Sequence, residues 1–247
     1  MSTSSHRYTS SFKRGFTLIE LLVVVAIISI TSAFILVRQQ RFDSSTLLRS
    51  LSYSVALSVR QAQVYGSSVL GTTTTSTGCV GGNFSAPTNT CFAAAYGMDI
   101  SMPSHAPVSS YTLFADLDNS GAYTVGGSED IKIFNLSTGY TITTACALNG
   151  SDLYCTASCP PTVINGVTVP LPFNATTCSA GYLKTLDIVF RRPNLDACFS
   201  TDHEPSVCQS GQIPFYSAAY VQVSGGDNTR GVTVSSTGEI AVGTAGT

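Results

Sequence analysis

The sequence predicts an α+β protein: one long N-terminal α-helix, a membrane anchor in its first part and an amphipathic spine in its second, packed on a disulfide-bonded antiparallel β-domain. Three observations carry this. An apolar run begins at Phe16 and lasts to Val37, and about 20 apolar residues are what a bilayer-crossing helix requires. No Gly or Pro occurs from Phe16 to Tyr65, so nothing breaks a helix over that length. Beyond it come short stretches rich in β-branched and aromatic residues, and all eight cysteines lie after residue 78.

The anchor region carries one acid, Glu20, in an otherwise apolar stretch. A carboxylate inside a membrane span is costly and needs a partner. Unpaired, it would take up a proton, because burial disfavours the charged form. No Lys or Arg lies between Phe16 and Val37. A cut after Gly15 would create the one new cation, the amine of Phe16, and residues four apart share a helix face. Arg7, Lys13 and Arg14 precede the apolar run, so they stay cytoplasmic by the positive-inside rule and everything after Val37 lies outside. An ordinary secretory signal would have a shorter apolar region with small residues at a cleavage site beyond it.

The second half of the helix changes character. Leu47, Leu51, Val55 and Val59 recur every four residues, with Leu48 and Ala62 beside them, while Arg49, Ser52, Arg60 and Gln61 lie away from that stripe. One face of this segment therefore packs on a domain. Gly66 and Gly71 are expected to end the helix. Strands are expected over 92–100, 111–115, 130–136, 140–148, 182–191, 215–224 and 231–242. Asn165-Gly166 is a two-residue hairpin signal between two β-branched triplets, and Thr237-Gly238 turns a second hairpin. Residues 147–181 hold four prolines and three cysteines and read as an excursion from the sheet.

Cys79, Cys91, Cys146, Cys155, Cys159, Cys178, Cys198 and Cys208 are even in number and all on the external side, which reads as a disulfide set. Short loops favour Cys79–Cys91 and Cys198–Cys208, leaving Cys146, Cys155, Cys159 and Cys178 to pair among themselves in an order the sequence leaves open. The competing reading is zinc. No CxxC is present, and His105 and His203 are not at ligand spacing with the cysteines.

The run Lys13-Arg14-Gly15-Phe16-Thr17-Leu18-Ile19-Glu20, with the apolar stretch that follows, resembles the class III signal of type IV prepilins and type II secretion pseudopilins. The resemblance implies a pilin-like fold, cleavage by prepilin peptidase after Gly15, and N-methylation of Phe16. It also implies a pairing of Glu20 with the N-terminal amine of a neighbouring subunit during assembly. Weaker pieces are similar to H-type minor pseudopilins and FimT-like minor pilins (the GspH and FimT kind). They are residues 57–66, Ala95-Tyr96-Gly97, residues 114–118, and the closing 231–240. Much of 147–210 falls outside that likeness. The implied organisation is a leader over 1–15, a transmembrane and filament-core helix over 16–37, a spine over 38–66, and a head over 67–247 with an insertion around 147–210. The implied partners are other pilin or pseudopilin subunits, the peptidase and an inner-membrane assembly platform. The implied place is the cytoplasmic membrane, single-pass, with the head periplasmic or extracellular, and then the pilus or pseudopilus. Many pilins have a proline in the membrane portion, and this chain has none there.

Composition sets further bounds. The leader holds three of the 12 basic residues and none of the 14 acidic ones. A mature chain would carry nine basic against 14 acidic side chains, a net of about −5, which gives no general reason to bind nucleic acid. DNA uptake by a FimT-like subunit would need clustered cations. The β-domain offers Arg191, Arg192, Arg230, Lys132 and Lys184, and Arg191-Arg192-Pro193 reads as a strand end on a solvated face. No HExxH, Ser/His/Asp order or phosphate-binding glycine loop points to an enzyme.

One stretch suggests a cation. Asp116, Asp118 and Ser120, followed by Gly121, have the spacing that opens a calcium loop. Position twelve of an EF-hand loop would be Gly127 rather than Glu, and Glu129 and Asp130 follow it. The favoured reading is an Asp/Asn/Gly turn joining two strands. Calcium held by Asp116, Asp118, Ser120, Glu129 and Asp130 is the second.

Overall fold

The computed structural model describes residues 15–68, 72–73, 90–91, 94–126, 129–160, 163–164, 167–168, 171–193, 196–204, 208, 215–226 and 228–244. Helix α1 spans Leu18–Ser67. The chain divides into two units, Met1–Asp43 and Ser44–Thr247. In the second unit the strands are β1 Thr72–Thr73, β2 Thr90–Cys91, β3 Ala95–Ser101, β4 Ser110–Asp116, β5 Asp130–Asn135, β6 Tyr140–Asn149, β7 Asp152–Cys155, β8 Val163–Ile164 and β9 Val167–Thr168. They continue with β10 Thr177–Ser179, β11 Thr185–Phe190, β12 Ala197–Thr201, β13 Ala218–Gly225, β14 Asn228–Ser235 and β15 Ile240–Thr244. This is the α+β class that the sequence predicts.

Two sheets dominate. One is antiparallel throughout in the order β12-β11-β3-β4-β5. The other runs β10-β7-β6-β13-β14-β15, with β10 parallel to β7 and the remaining pairs antiparallel. A single core cluster joins them to the helix. It takes Leu48, Val55, Val59 and Ala62 from α1, Met98, Ile100, Leu113 and Ile188 from the first sheet, and Ala145, Val221, Val232 and Val234 from the second. Alternation along each strand sends one set of side chains into this core. On the opposite face of the five-stranded sheet, Ala95, Phe114 and Val189 form a smaller cluster with Cys208.

Three expectations are refined. The buried stripe of α1 runs through Leu48 rather than Leu47, which is 50% exposed, and it includes Ser52, which is fully buried. Ser52 fits because its hydroxyl donates to the Arg49 carbonyl at 2.8 Å, so no polar atom is stranded. Helix α1 ends at Ser67, one residue past Gly66, and Gly66 has a second role in its last turn. It lies inside α1, and a Cβ there would sit 2.4 Å from the Phe190 carbonyl oxygen, so glycine lets the helix approach β11 closely. Gly71 lies outside the described residues. Finally, residues 147–181 are not simply an excursion: β7 and β10 extend the six-stranded sheet at its edge. Further along, β11 and β12 build the five-stranded sheet, so the proposed insertion of 147–210 supplies part of the frame.

Polar contacts fix the helix to the sheets. Ser58 and Tyr111 share a buried hydroxyl hydrogen bond of 2.9 Å. Gln63 Nε2 donates to the Gly238 carbonyl at 3.1 Å, which ties α1 to the turn before β15. That turn needs a positive φ, supplied by Gly238 at 81°. β8 pairs with β9 around residues 165–166, and those two turn residues are outside the described set.

Candidate functional site

In the N-terminal unit, Gly15, Phe16 and Thr17 precede the helix and are exposed. The Thr17 hydroxyl accepts a hydrogen bond from the Glu20 N–H at 3.3 Å. Its carbonyl accepts the first helical bond, from the Leu21 N–H at 3.2 Å. Thr17 is therefore the N-cap and Glu20 the third helical residue. The sequence reading gave Thr17 no role, although Thr-x-x-Glu before an apolar run is the signal for such a cap. The Glu20 carboxylate projects from the first turn, where the helix dipole favours negative charge. An ammonium created at Phe16 would stand at the same positive helix end, and alone it would be disfavoured there. A carboxylate one turn away offsets that.

From Leu18 to Ile35 the helix is long and apolar enough to cross a membrane, with a mean hydropathy of 2.6 and no part buried. Two of its hydroxyls, those of Ser29 and Thr31, are satisfied within the helix. Ser29 Oγ donates to the Val25 carbonyl at 2.8 Å and Thr31 Oγ1 to the Ile27 carbonyl at 2.9 Å. Hydrocarbon demands such internal pairing.

In the head, the loop between β4 and β5 gathers acids. Carboxylate oxygens of Asp116, Asp118 and Glu129 lie within 4.8 Å of one another. Most of their acceptor sites are in use. Asp116 receives the N–H groups of Ser120 at 2.9 Å and Gly121 at 3.1 Å. Glu129 receives those of Leu117 at 3.1 Å and Thr124 at 2.9 Å. Arg191 forms an ion pair with Asp116 at 3.0 Å and donates to Asn119 as well. This corrects the solvated-strand-end reading of Arg191: its guanidinium closes the loop. Ser120 Oγ donates to the Ala122 carbonyl at 2.9 Å. Asp130 turns elsewhere, accepting from the Tyr123 hydroxyl at 2.6 Å. The loop thus holds its acids with its own amides and one arginine, as the turn reading expects, and a calcium ion would have to compete with Arg191.

Burial pushes Asp116 up to about 6, against the pull of Arg191. Burial also raises Glu129, opposed by its two amide donors. For Asp118, burial is outweighed by Ser120, Thr124 and Asp116 as hydrogen-bond partners, and its carboxyl titrates below the ordinary range.

Next to this loop lies a pair that sequence reasoning missed. Asp99 on β3 and Asp187 on β11 stand directly opposite in the ladder and both are buried. Ser101 Oγ donates to Asp99 at 2.9 Å, and the Tyr123 N–H donates to Asp187 Oδ2 at 3.2 Å. Asp187 Oδ1 has no donor. Two carboxylates facing each other cannot both ionise cheaply, so one proton is shared. Burial, with the Asp99 charge added, holds Asp187 protonated well above the ordinary carboxyl range. Asp99 rises to about 6 through burial, moderated by hydrogen bonds from Ser101 and Asp187. The sequence signal was an acid placed between core-facing residues, Asp99 between Met98 and Ile100 and Asp187 between Leu186 and Ile188, and nothing local pairs residues so far apart.

The structure pairs Cys146 with Cys155, Cys159 with Cys178 and Cys198 with Cys208. Cys79 and the side chain of Cys91 lie outside the described residues. Cys155 and Cys178 sulfurs are 3.6 Å apart, which brings the sulfurs of Cys155, Cys159 and Cys178 together. Each is already in a disulfide, whereas zinc takes thiolates. The first two bridges lock the β6–β7 hairpin and hold β10 beside it.

Residues 10–36 match the family model described as the prokaryotic N-terminal methylation motif. No curated protein and no solved structure matches the chain. The match supports a membrane-anchored precursor of the type IV pilin and pseudopilin kind, processed by prepilin peptidase and assembled with other such subunits. It indicates a structural role for the N-terminal segment, and the helix-plus-sheet architecture is consistent with a pilin-like fold.

Proposed function

We propose that this protein is a minor or tip subunit of a type IV pilus or a type II secretion pseudopilus, of the H-type or FimT-like kind. The observation that carries the reading is the methylation motif over residues 10–36 on an exposed apolar helix. Gly15 is the residue before the cut, Phe16 the methylated terminus and Glu20 the assembly acid. The precursor waits in the cytoplasmic membrane with its head periplasmic or extracellular, and an inner-membrane platform inserts it into the filament. Apolar packing of 16–37 between subunits forms the core, and Glu20 with the Phe16 amine sets axial register.

Intact-mass and N-terminal peptide analysis of the protein from its host membrane or sheared surface fraction tests this. A chain beginning at methylated Phe16 supports it, and a Met1 start or a cut beyond Val37 refutes it. Glu20→Ala should still reach the membrane but enter filaments poorly, and normal incorporation would count against the register role. The other reading, a tip module that binds a surface or DNA, would be favoured by a clustered exposed basic or aromatic surface. Among the cations proposed for it, Arg191 is engaged by Asp116.

A further inference from the structure

We infer that Thr17 is a positioning residue for cleavage: as N-cap it starts the helix just after the Gly15–Phe16 bond and leaves that bond's carbonyl outside the helical hydrogen-bond ladder. The inference rests on the prepilin reading above. The ladder shows why one side chain decides this. In α1 each N–H reaches the carbonyl four residues back. If the helix grew upstream by one residue, the Glu20 N–H would bond to the Phe16 carbonyl. By a second residue, the Ile19 N–H would bond to the Gly15 carbonyl oxygen, and the carbon that a hydrolase must attack would be drawn into the helix. Thr17 Oγ1 takes the Glu20 N–H instead, at 3.3 Å, and so blocks the first of these steps.

The surroundings agree. Gly15, Phe16 and Thr17 are non-helical, the Phe16 side chain is 82% exposed, and a Cβ added at Gly15 would meet nothing within 4 Å. Among the described residues, nothing therefore crowds Gly15. Gly15 adds a second brake, since glycine is the poorest helix former after proline. Thr17 and Gly15 act on the boundary from its two sides. The Gly15–Phe16 bond is kept out of the helix for the peptidase, and the apolar side is kept regular for the membrane.

The test is the cleavage rate of full-length precursor co-expressed with prepilin peptidase, for Thr17→Val, Thr17→Ser and Thr17→Asn beside the wild type. Valine keeps the shape and loses the acceptor, while Ser and Asn keep an acceptor and cap at least as well as Thr. Cleavage should fall about fivefold for Thr17→Val, the effect of losing one cap, and stay near wild type for Ser and Asn. Backbone chemical shifts of Gly15 and Phe16 in detergent micelles should move toward helical values only in Thr17→Val. Valine cleaved as fast as threonine overturns the inference, as does a rate that follows side-chain size or apolarity rather than capping strength. A bulky replacement of Gly15 separates the two levels. If that variant is still cut after residue 15, the peptidase reading itself fails. If it is blocked while Thr17→Val is cut normally, only the positioning role fails.

Discussion

Replacing Asp99 by Asn should make the head more stable at neutral pH, although it removes a buried, hydrogen-bonded side chain. Asp99 faces Asp187 across β3 and β11, and its carboxyl is raised from 3.8 to about 6 by burial. A raised carboxyl pKa means that the folded state holds the proton more tightly than the unfolded chain. The stabilisation is therefore complete below pH about 4 and is lost as pH rises toward 6. A shift of about 2 units corresponds to roughly 3 kcal/mol. The amide introduced by Asp99→Asn has the same shape as the carboxyl, has no proton to lose, and can donate an Nδ2–H to Asp187 Oδ1, the oxygen without a donor. At pH 7.5 the variant should melt roughly 6–12 °C above wild type, taking about 2–4 °C per kcal/mol for a domain of this size. At pH 4 the two should nearly coincide. The assay is thermal unfolding of the full chain in detergent, followed by near-ultraviolet circular dichroism from pH 4 to 8. A variant no more stable at pH 7.5, or one whose stability falls as steeply between pH 4 and 6, would refute the shared-proton account.

Three further outcomes follow from the same structure. Gly66→Ala should destabilise the head by roughly 1–3 kcal/mol, because its Cβ would press on the Phe190 backbone and force helix and sheet apart; an unchanged denaturant midpoint would show that the contact yields. Arg191→Met should cost roughly 2–4 kcal/mol at pH 7.5 by leaving the Asp116 carboxylate buried without its cation. That loss should shrink below pH 6 as Asp116 takes up a proton, and a pH-independent loss would argue that Arg191 acts by packing alone. Millimolar calcium should leave the melting temperature unchanged, because Arg191 and four backbone amides already engage Asp116 and Glu129; a rise reversed by a chelator would show that an ion binds the loop.

Much of this was legible in the sequence because it is encoded locally. The apolar run from Phe16, the basic residues before it and the single acid Glu20 are contiguous, and a family motif covers that segment. The unbroken helix follows from the lack of Gly and Pro, and the hairpin turns follow from Thr237-Gly238 and its neighbours. Periodicity found the buried face of α1 through Leu48, Val55, Val59 and Ala62 but included the exposed Leu47 and left out Ser52. Apolar residues occur on both sides of that helix, and only contact with the sheets selects which are buried.

The tertiary structure decided what depends on distant residues meeting. Gly66 reads only as a helix end until Phe190 is seen against it. Arg191 reads as a surface cation until the fold brings it to Asp116. Asp99 and Asp187 are ordinary acids singly and become a proton-sharing pair only through strand register. Cysteine spacing left the order of Cys146, Cys155, Cys159 and Cys178 open until β6, β7 and β10 were placed side by side. Each of these depends on long-range pairing, whose free energy comes from burying the sheets and the helix together rather than from any local preference. The helix, its apolar anchor segment and its N-terminal motif are set by neighbouring residues alone. Packing alone determined the electrostatics of the head.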